Sequence, residues 1–186
     1  ETYHHADVVV VTLSHEGAVG RGECTPTNFY GEDVPGVIDA VRDLTARLVR
    51  GEDWNSFHDA APAGAARNAV DCAIWDLRAK QSGRRAWELA GIPAPRAVRT
   101  AQTISVGDAA HQADKAHAIV CGDGADALIK LKLDANDVVA RVDAVRAAAP
   151  AATIIVDANA SWNPALLEAV MPALQAANIA MLEQPL

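Results

Sequence analysis

The sequence predicts an α+β domain at residues 1–96 and, at residues 97–186, the first four β/α units of a (β/α) barrel. Three observations lead to this fold class. A strand–turn–strand pattern at the start is followed by helical patterns instead of further strands. Two closely spaced prolines, Pro93 and Pro95, then interrupt the chain. After them, short apolar runs alternate with helical patterns at a constant period, which is typical of a β/α repeat.

The first domain is expected to contain a β-hairpin and two main helices. A valine-rich strand at 7–13, a turn at 14–17 and a return strand from residue 18 make the hairpin. Apolar residues at helical spacing predict helices over 34–50 and 65–81. The polar loop at 24–35 carries Phe29 and Tyr30. These two aromatic residues either pack onto the hairpin or belong to a mobile flap that closes over a ligand.

The second domain is defined by polar residues at the ends of four predicted strands. Thr103, Lys130, Asp157 and Glu183 follow one another at intervals of 27, 27 and 26 residues. The carboxyl ends of successive barrel strands surround one mouth, so these side chains are expected to converge. Asn136 is the expected cap of the second helix, and Ser161 or Asn163 is that of the third.

Composition restricts the function and the compartment. A net charge of −8 counts against nucleic acid as a partner. The three cysteines form no CxxC pair and suggest neither a zinc cluster nor a disulfide framework; Cys72 and Cys121 are expected to be buried thiols. No apolar run is long enough to span a membrane and no signal peptide is recognised, so a cytoplasmic location is predicted.

Four β/α units are too few to close a barrel, which takes about eight strands. The apolar run at 179–186 would then be an exposed edge strand. We therefore expect the sequence to be the front portion of a longer protein.

Two lysines and two later acids are the candidate chemical groups. Lys130 and Lys132 are two residues apart in a strand and project from the same face, where their charges require acidic neighbours. Asp157 and Glu183 either form plain ion pairs with them or make a hard-oxygen site for Mg²⁺. In the second case Mg²⁺ would bind a substrate carboxylate and stabilise the enediolate, while a lysine removes the α-proton. The regular period favours this second interpretation.

Several motifs also resemble the muconate-lactonizing subgroup of the enolase superfamily. The tripeptides that carry the resemblance are Lys130-Leu-Lys132, Asp157-Ala-Asn159 and Glu183-Gln-Pro185. The segment from Gly22 to Pro26, the flap Tyr30-Gly31-Glu32 and the helix from Arg67 to Leu77 are similar to the capping domain of that family. The flap and the Thr103-Ile-Ser segment are most similar to dipeptide epimerases of the L-Ala-D/L-Glu type.

The resemblance implies an α+β capping domain followed by the first four β/α units of a TIM-like (β/α)7β barrel. It implies Mg²⁺ as cofactor and a small carboxylate, a dipeptide, as substrate. A homo-oligomer is the expected assembly. The implied roles are as follows: Lys132 as an acid/base lysine, Lys130 as its electrostatic neighbour, Asp157 and Glu183 as metal ligands, Asn159 as an orienting residue, and Tyr30 and Thr103 as pocket residues.

The resemblance covers the front half to two-thirds of such a protein. The third acidic ligand and the lysine on the opposite face of the substrate would lie beyond Leu186, and the first capping strand would precede Glu1. The implied reaction is epimerisation or racemisation by transfer of an α-proton. N-succinylamino-acid racemase, o-succinylbenzoate synthase and muconate cycloisomerase are alternatives within the superfamily. A non-catalytic fragment or scaffold, with its open edge covered by a partner, is the alternative outside it.

Overall fold

The computed structural model describes residues 5–186, which form two compact units, 5–96 and 97–186. Residues 1–4, the start of the predicted first domain, lie outside the described residues. Within 5–186, no helix combines the length and the apolar character that a membrane span requires.

The first unit is a β-hairpin covered by helices. Strands β1 (Val9–His15) and β2 (Ala18–Cys24) pair antiparallel, with Val11 opposite Gly22. The hairpin turn has positive φ at Glu16 and Gly17, as the favoured two-residue turns require. The helices are α1 (Val34–Val49), α2 (Trp54–Phe57), α3 (Ala65–Ser82) and α4 (Ala86–Leu89), with a 3₁₀ turn at Asn28–Tyr30.

Helix α3 lies directly against the inner face of β2. Gly20 and Gly22 alternate with exposed residues, so both face the helix, whose residues Ala69 and Ala73 are fully buried. Neither glycine has room for a side chain: a Cβ on Gly22 would fall on the carbonyl oxygen of Ala69. The close approach of strand and helix therefore depends on the missing Cβ atoms.

The second unit is a parallel sheet with helical crossovers. Its strands are β3 (Gln102–Ile104), β4 (Leu128–Lys132), β5 (Thr153–Asp157) and β6 (Met181–Glu183), and they lie side by side in chain order. The connecting helices are α5 (Ala109–Asp123), α6 (Val138–Ala148) and α7 (Pro164–Ala176). Four parallel strands in chain order, with a helix in each connection, confirm the predicted β/α units.

The two faces of this sheet differ in character. Ile129, Leu131 and Ile154 point toward the helices and are completely buried in one apolar core. The alternate residues point the other way, which places Lys130 and Lys132 together on the face without helices. Backbone register aligns Lys132 with Asp157, and Asp157 with Glu183. Parallel pairing thus brings residues from three units into one row at the carboxyl edge.

Arg146 secures the opposite, amino-terminal edge of the sheet. Its guanidinium donates hydrogen bonds to the carbonyl oxygens of Ala149, Ala152 and Ala177 at 3.1, 2.8 and 2.8 Å. Burial lowers the pKa of this guanidinium below its ordinary value. These bonds satisfy backbone acceptors where α6 and α7 end, so this arginine is a structural residue.

Two local expectations are wrong. Asn136 does not cap α6: its backbone N–H donates to Asp134, and Asp137, in a left-handed conformation, precedes the helix. The thiols of Cys72 and Cys121 are exposed, whereas Cys24 is buried. Both cysteines lie in helices, but on the faces that point away from the cores. The predicted cap of α7 is correct, since Asn163 accepts a hydrogen bond from the Leu166 N–H.

Gly22→Ala is expected to destabilise the full-length protein by about 1–3 kcal/mol or more, because the new methyl group collides with the backbone of α3. Urea unfolding measures the change. Gly122→Ala near the end of α5 is the control, since a Cβ there meets nothing within 4 Å and should leave stability unchanged or raise it by up to about 1 kcal/mol. Equal effects of the two substitutions would contradict the packing account.

Candidate active site

Lys130 lies between two carboxylates at the carboxyl edge of the second unit. Its ammonium nitrogen is 3.0 Å from Asp157 Oδ2 and 2.7 Å from Glu183 Oε2. The Asp157 side chain is only 3% exposed, whereas Glu183 is 36% exposed. The two acids therefore direct oxygen atoms at a single point, where a positive charge resides.

Lys132 shares the same buried carboxylate oxygen at a longer distance. Its Nζ lies 3.7 Å from Asp157 Oδ2 and donates to Asn159 Oδ1 at 3.3 Å. Over a third of the Lys132 side chain is exposed, more than of Lys130. The tip of Lys132 is thus loosely held and accessible, while Lys130 is held by two short ion pairs.

The charges of this group stabilise one another. Burial works to raise the pKa of Asp157, but the Asn159 N–H and the Lys130 ammonium outweigh it, so the pKa lies below its usual value. Hydrogen bonds to Glu183 and then Asp157 raise the pKa of Lys130. Asp157 is consequently ionised and Lys130 protonated at neutral pH, which makes Lys130 a fixed cation.

A tight turn after β5 positions Asn159. The Ser161 N–H donates to the Ala158 carbonyl at 3.0 Å, and both central residues, Asn159 and Ala160, have positive φ. The Ala160 N–H also donates to the Gln184 carbonyl at 2.7 Å, which ties the turn to the segment after β6. Asn159 is thereby held where its backbone contacts Asp157 and its side chain contacts Lys132.

Backbone strain is concentrated at this edge. Six residues other than glycine have positive φ in the described part of the chain, and four of them follow the strand ends of the second unit: Asp137, Asn159, Ala160 and Gln184. Such conformations cost of order 1 kcal/mol or more each and persist where the surrounding structure enforces them. Their clustering beside the charged residues marks this edge as the candidate active site.

The oxygen donors at this edge supply part of the ligand set that a divalent cation requires. Among residues 5–186, no three histidine, cysteine or acidic side chains gather closely enough to enclose a metal ion. Asp157 and Glu183 nevertheless converge on one cation, the Lys130 ammonium. Mg²⁺ characteristically takes one or two carboxylates and fills its other positions with water and substrate oxygens. The residues present therefore fit two protein ligands of such an ion.

The structure places the remaining predicted residues in different ways. Thr103 aligns with Lys130 in the sheet and is exposed. Tyr30 belongs to the first unit, where it is 70% exposed and meets Phe29 edge to face at 5.0 Å. The hypothesis that these aromatic residues pack onto the hairpin is therefore wrong. Their loop is fixed at one point, because Glu32 accepts a hydrogen bond from the Ala65 N–H at the start of α3.

Two residues near the site were not predicted. Trp162 donates from its indole nitrogen to the Asp134 carbonyl at 3.0 Å and joins two loops of the carboxyl edge. Gln112, fully buried in α5, donates to the carbonyls of Ser105 and Lys132. Gln112 had a detectable signal, since it stands four residues before Ala116 on the apolar stripe of its helix. For Trp162 the sequence offered no signal except that tryptophan is rare in this chain.

Comparison with known proteins identifies the family. Residues 1–91 match the model "Mandelate racemase / muconate lactonizing enzyme, N-terminal domain", and residues 98–186 match "Enolase C-terminal domain-like". Together these matches span almost the whole chain. The chain belongs to the mandelate racemase/muconate lactonizing enzyme family of the enolase superfamily, which confirms the resemblance and the assignment of a capping domain followed by the start of a barrel.

Individual relatives show which members of this family the chain resembles. The chain is 42% identical to the L-Ala-D/L-Glu epimerase of Escherichia coli (strain K12) and 35% identical to the N-acetyl-D-glutamate racemase of Pseudoalteromonas sp.. These matches cover 97% and 96% of this chain but 56% of each relative, so the chain spans little more than half their length. A dipeptide epimerase from Enterococcus faecalis V583, complexed with Mg and L-Leu-L-Tyr, is 27% identical with a TM-score of 0.83; the match covers 97% of this chain and 54% of that one.

Ala160→Gly is expected to stabilise the full-length protein by about 0.5–1 kcal/mol, because glycine adopts the positive φ of this turn without the strain that alanine bears. Chemical denaturation measures the change. Ala169→Gly, at an exposed position within α7, makes the same exchange in regular helix and should destabilise by about 1 kcal/mol. Destabilisation by both substitutions would argue against strain at the turn.

Proposed function

We propose that the full-length protein is a Mg²⁺-dependent epimerase or racemase that removes and returns the proton α to a carboxylate. The observation that carries the proposal is the convergence of Lys130, Lys132, Asp157 and Glu183 at the carboxyl edge of a parallel sheet. This edge is where barrel enzymes carry their chemistry. The four groups supply a cation site and a proton-transfer group side by side, which a purely structural ion-pair cluster does not require.

Asp157 and Glu183 are the residues that would hold Mg²⁺. Their oxygens already converge on a positive charge, and the low pKa of Asp157 keeps its ligand oxygen ionised at neutral pH. When bound, Mg²⁺ supplies positive charge that stabilises the negative charge developing on the substrate carboxylate as the α-proton leaves. Lys130, held as a cation beside both acids, would balance their charge and approach the substrate carboxylate.

Lys132 is the proposed acid/base group. Of the two lysines it has the more exposed side chain, and its Nζ contacts a neutral amide oxygen at 3.3 Å in addition to the more distant carboxylate. Removing a proton from carbon requires Nζ to be neutral first and to hold the proton afterwards. Asn159 orients Nζ in either state, because an amide can accept from an ammonium and donate to an amine. Inversion also requires a second group on the opposite face of the α-carbon, which we assign to the remainder of the protein.

The proposed substrate is a dipeptide such as L-Ala-D/L-Glu. The two curated relatives are named for a glutamyl residue whose nitrogen is acylated, by alanine in one and by acetate in the other. In both, the carbon to be inverted lies between a carboxylate and an amide nitrogen. The dipeptide is preferred because the relative with the higher identity, 42%, bears that name. Tyr30 and Thr103 are proposed to line the substrate pocket, and a homo-oligomer remains a prediction.

Exchange of the α-proton in heavy water, followed by NMR, distinguishes the candidate substrates. L-Ala-L-Glu and N-acetyl-L-glutamate are compared with the full-length protein and Mg²⁺. Faster exchange of the dipeptide supports the proposal, and faster exchange of the acetylated amino acid would make N-acyl-amino-acid racemisation the function. Absence of exchange with both would favour the superfamily's lyase and cycloisomerase reactions or a non-catalytic protein.

Lys132→Ala is expected to reduce α-proton exchange from one substrate epimer by about 100- to 10,000-fold, the usual contribution of a general base. The epimer whose α-proton faces the opposite group should retain most of its exchange. Lys115→Ala, which removes an exposed lysine from α5, is the control and should leave both rates unchanged. Undiminished exchange from both epimers in the Lys132→Ala protein would refute the proposed role.

A further inference from the structure

Gln112 is a polar residue in the apolar core behind the carboxyl edge. It lies in the first half of α5, four residues before Ala116, and both residues are completely buried. Its side chain reaches the sheet instead of packing among the helices. The amide nitrogen donates to the Ser105 carbonyl at 2.9 Å and to the Lys132 carbonyl at 3.0 Å. A single side chain therefore joins the segments that follow β3 and β4.

These two hydrogen bonds extend the sheet where its backbone pairing stops. The last paired residues of β3 and β4 are Ile104 and Leu131, one position before Lys132. On the other side, β4 remains paired with β5 through Lys132 and Asp157, and the Leu133 N–H donates to the Asp157 carbonyl at 3.0 Å. Within residues 5–186, the side facing β3 has no backbone partner at this position, and there Gln112 supplies the donors.

The orientation of the amide follows from its partners. Both are carbonyl oxygens and accept hydrogen bonds only, so the NH₂ end of the side chain must face them. The carbonyl oxygen of the Gln112 side chain, Oε1, is buried without a hydrogen-bond partner among the described residues. All of the polar contact of this side chain is thus directed at the two strand ends. Leucine or methionine could fill the same space but could not make this contact.

We propose that Gln112 is a positioning residue for Lys132, an inference that rests on the proposed function. By fixing the Lys132 carbonyl, the amide of Gln112 fixes the backbone from which the lysine side chain extends. It leaves Nζ free to contact Asn159 and the substrate. Proton transfer depends steeply on this placement, because misplacement of a reacting group by about 1 Å can reduce a rate by about 100-fold.

The test compares Gln112→Met with Ala116→Gly in the full-length protein. Methionine has nearly the volume of glutamine but donates no hydrogen bond. Ala116→Gly weakens the same helix without removing a hydrogen bond to the strand ends, because neither alanine nor glycine has a polar side chain. Exchange of the α-proton is measured separately from each substrate epimer, and Lys132→Ala identifies the epimer that Lys132 deprotonates.

Gln112→Met is expected to slow exchange from that epimer by about 10- to 100-fold, mainly through kcat, and to leave the other epimer much less affected. Ala116→Gly should not produce this asymmetry. Equal slowing of both epimers by Gln112→Met, unchanged rates, or the same asymmetry in Ala116→Gly would overturn the proposal.

A second measurement does not depend on catalysis. Reductive methylation of the Lys132 amine is followed by mass spectrometry, with Lys115 in the same protein as the reference. The ratio of the Lys132 rate to the Lys115 rate should differ between Gln112→Met and the unaltered protein. An unchanged Lys132 rate, or the same shift in Ala116→Gly, would overturn the positioning role. If the unaltered protein exchanges no α-proton, the proposed function fails, and the methylation rates alone decide whether Gln112 positions Lys132.

Discussion

A buried carboxylate requires positive charge nearby, and Asp157 is the group that imposes this requirement here. Its side chain is almost inaccessible to solvent, yet its pKa is held below the usual value by the Asn159 N–H and the Lys130 ammonium. Removal of either lysine would leave the charge of Asp157 less compensated. This one constraint is consistent with three placements. Strand β4 brings the two lysines to Asp157, the turn after β5 brings the Asn159 N–H, and β6 ends at Glu183, which shares Lys130.

The two edges of the second unit differ in role: the amino-terminal edge stabilises the fold, and the carboxyl edge carries the proposed active site. At the amino-terminal edge, Arg146 satisfies carbonyl groups and makes no ion pair with an acidic residue among residues 5–186. At the carboxyl edge, like charges are brought together and the backbone takes strained conformations at Asn159 and Ala160. This arrangement is typical of barrel enzymes, where the lower face supports the fold and the upper face carries the active site. The proposed role of Gln112 links the two functions, since it is a core residue that acts on the upper face.

The sequence predicted those features that follow from a period. The intervals between Thr103, Lys130, Asp157 and Glu183 located four strand ends, and the register of the sheet shows why equal intervals place side chains in one row. Alternation within β4 likewise predicted that Lys130 and Lys132 share a face. The hairpin and the main helices of the first unit were predictable from their apolar patterns for the same reason.

Features that depend on particular contacts were not predictable. Asn136 is a residue type that favours helix caps, but its N–H donates to the side chain of Asp134, two residues earlier, which also pairs with Arg141. The exposure of Cys72 depends on which face of α3 meets the hairpin. Nor could composition reveal that Arg146 reaches the carbonyl of Ala177, 31 residues away. The outcomes for Cys72 and Arg146 are decided by tertiary contact, on which local propensity carries no information.

Asp157 and Glu183 are proposed to form the cation site of the full-length protein, at the place where the Lys130 ammonium lies. A crystal structure of the full-length protein grown with Mn²⁺, which shares the oxygen-ligand preference of Mg²⁺, tests it most directly. We expect one anomalous scattering peak bonded to oxygens of both acids, with the Lys130 ammonium displaced from between them. An unchanged Lys130 between the two carboxylates, with the metal elsewhere or absent, would contradict it.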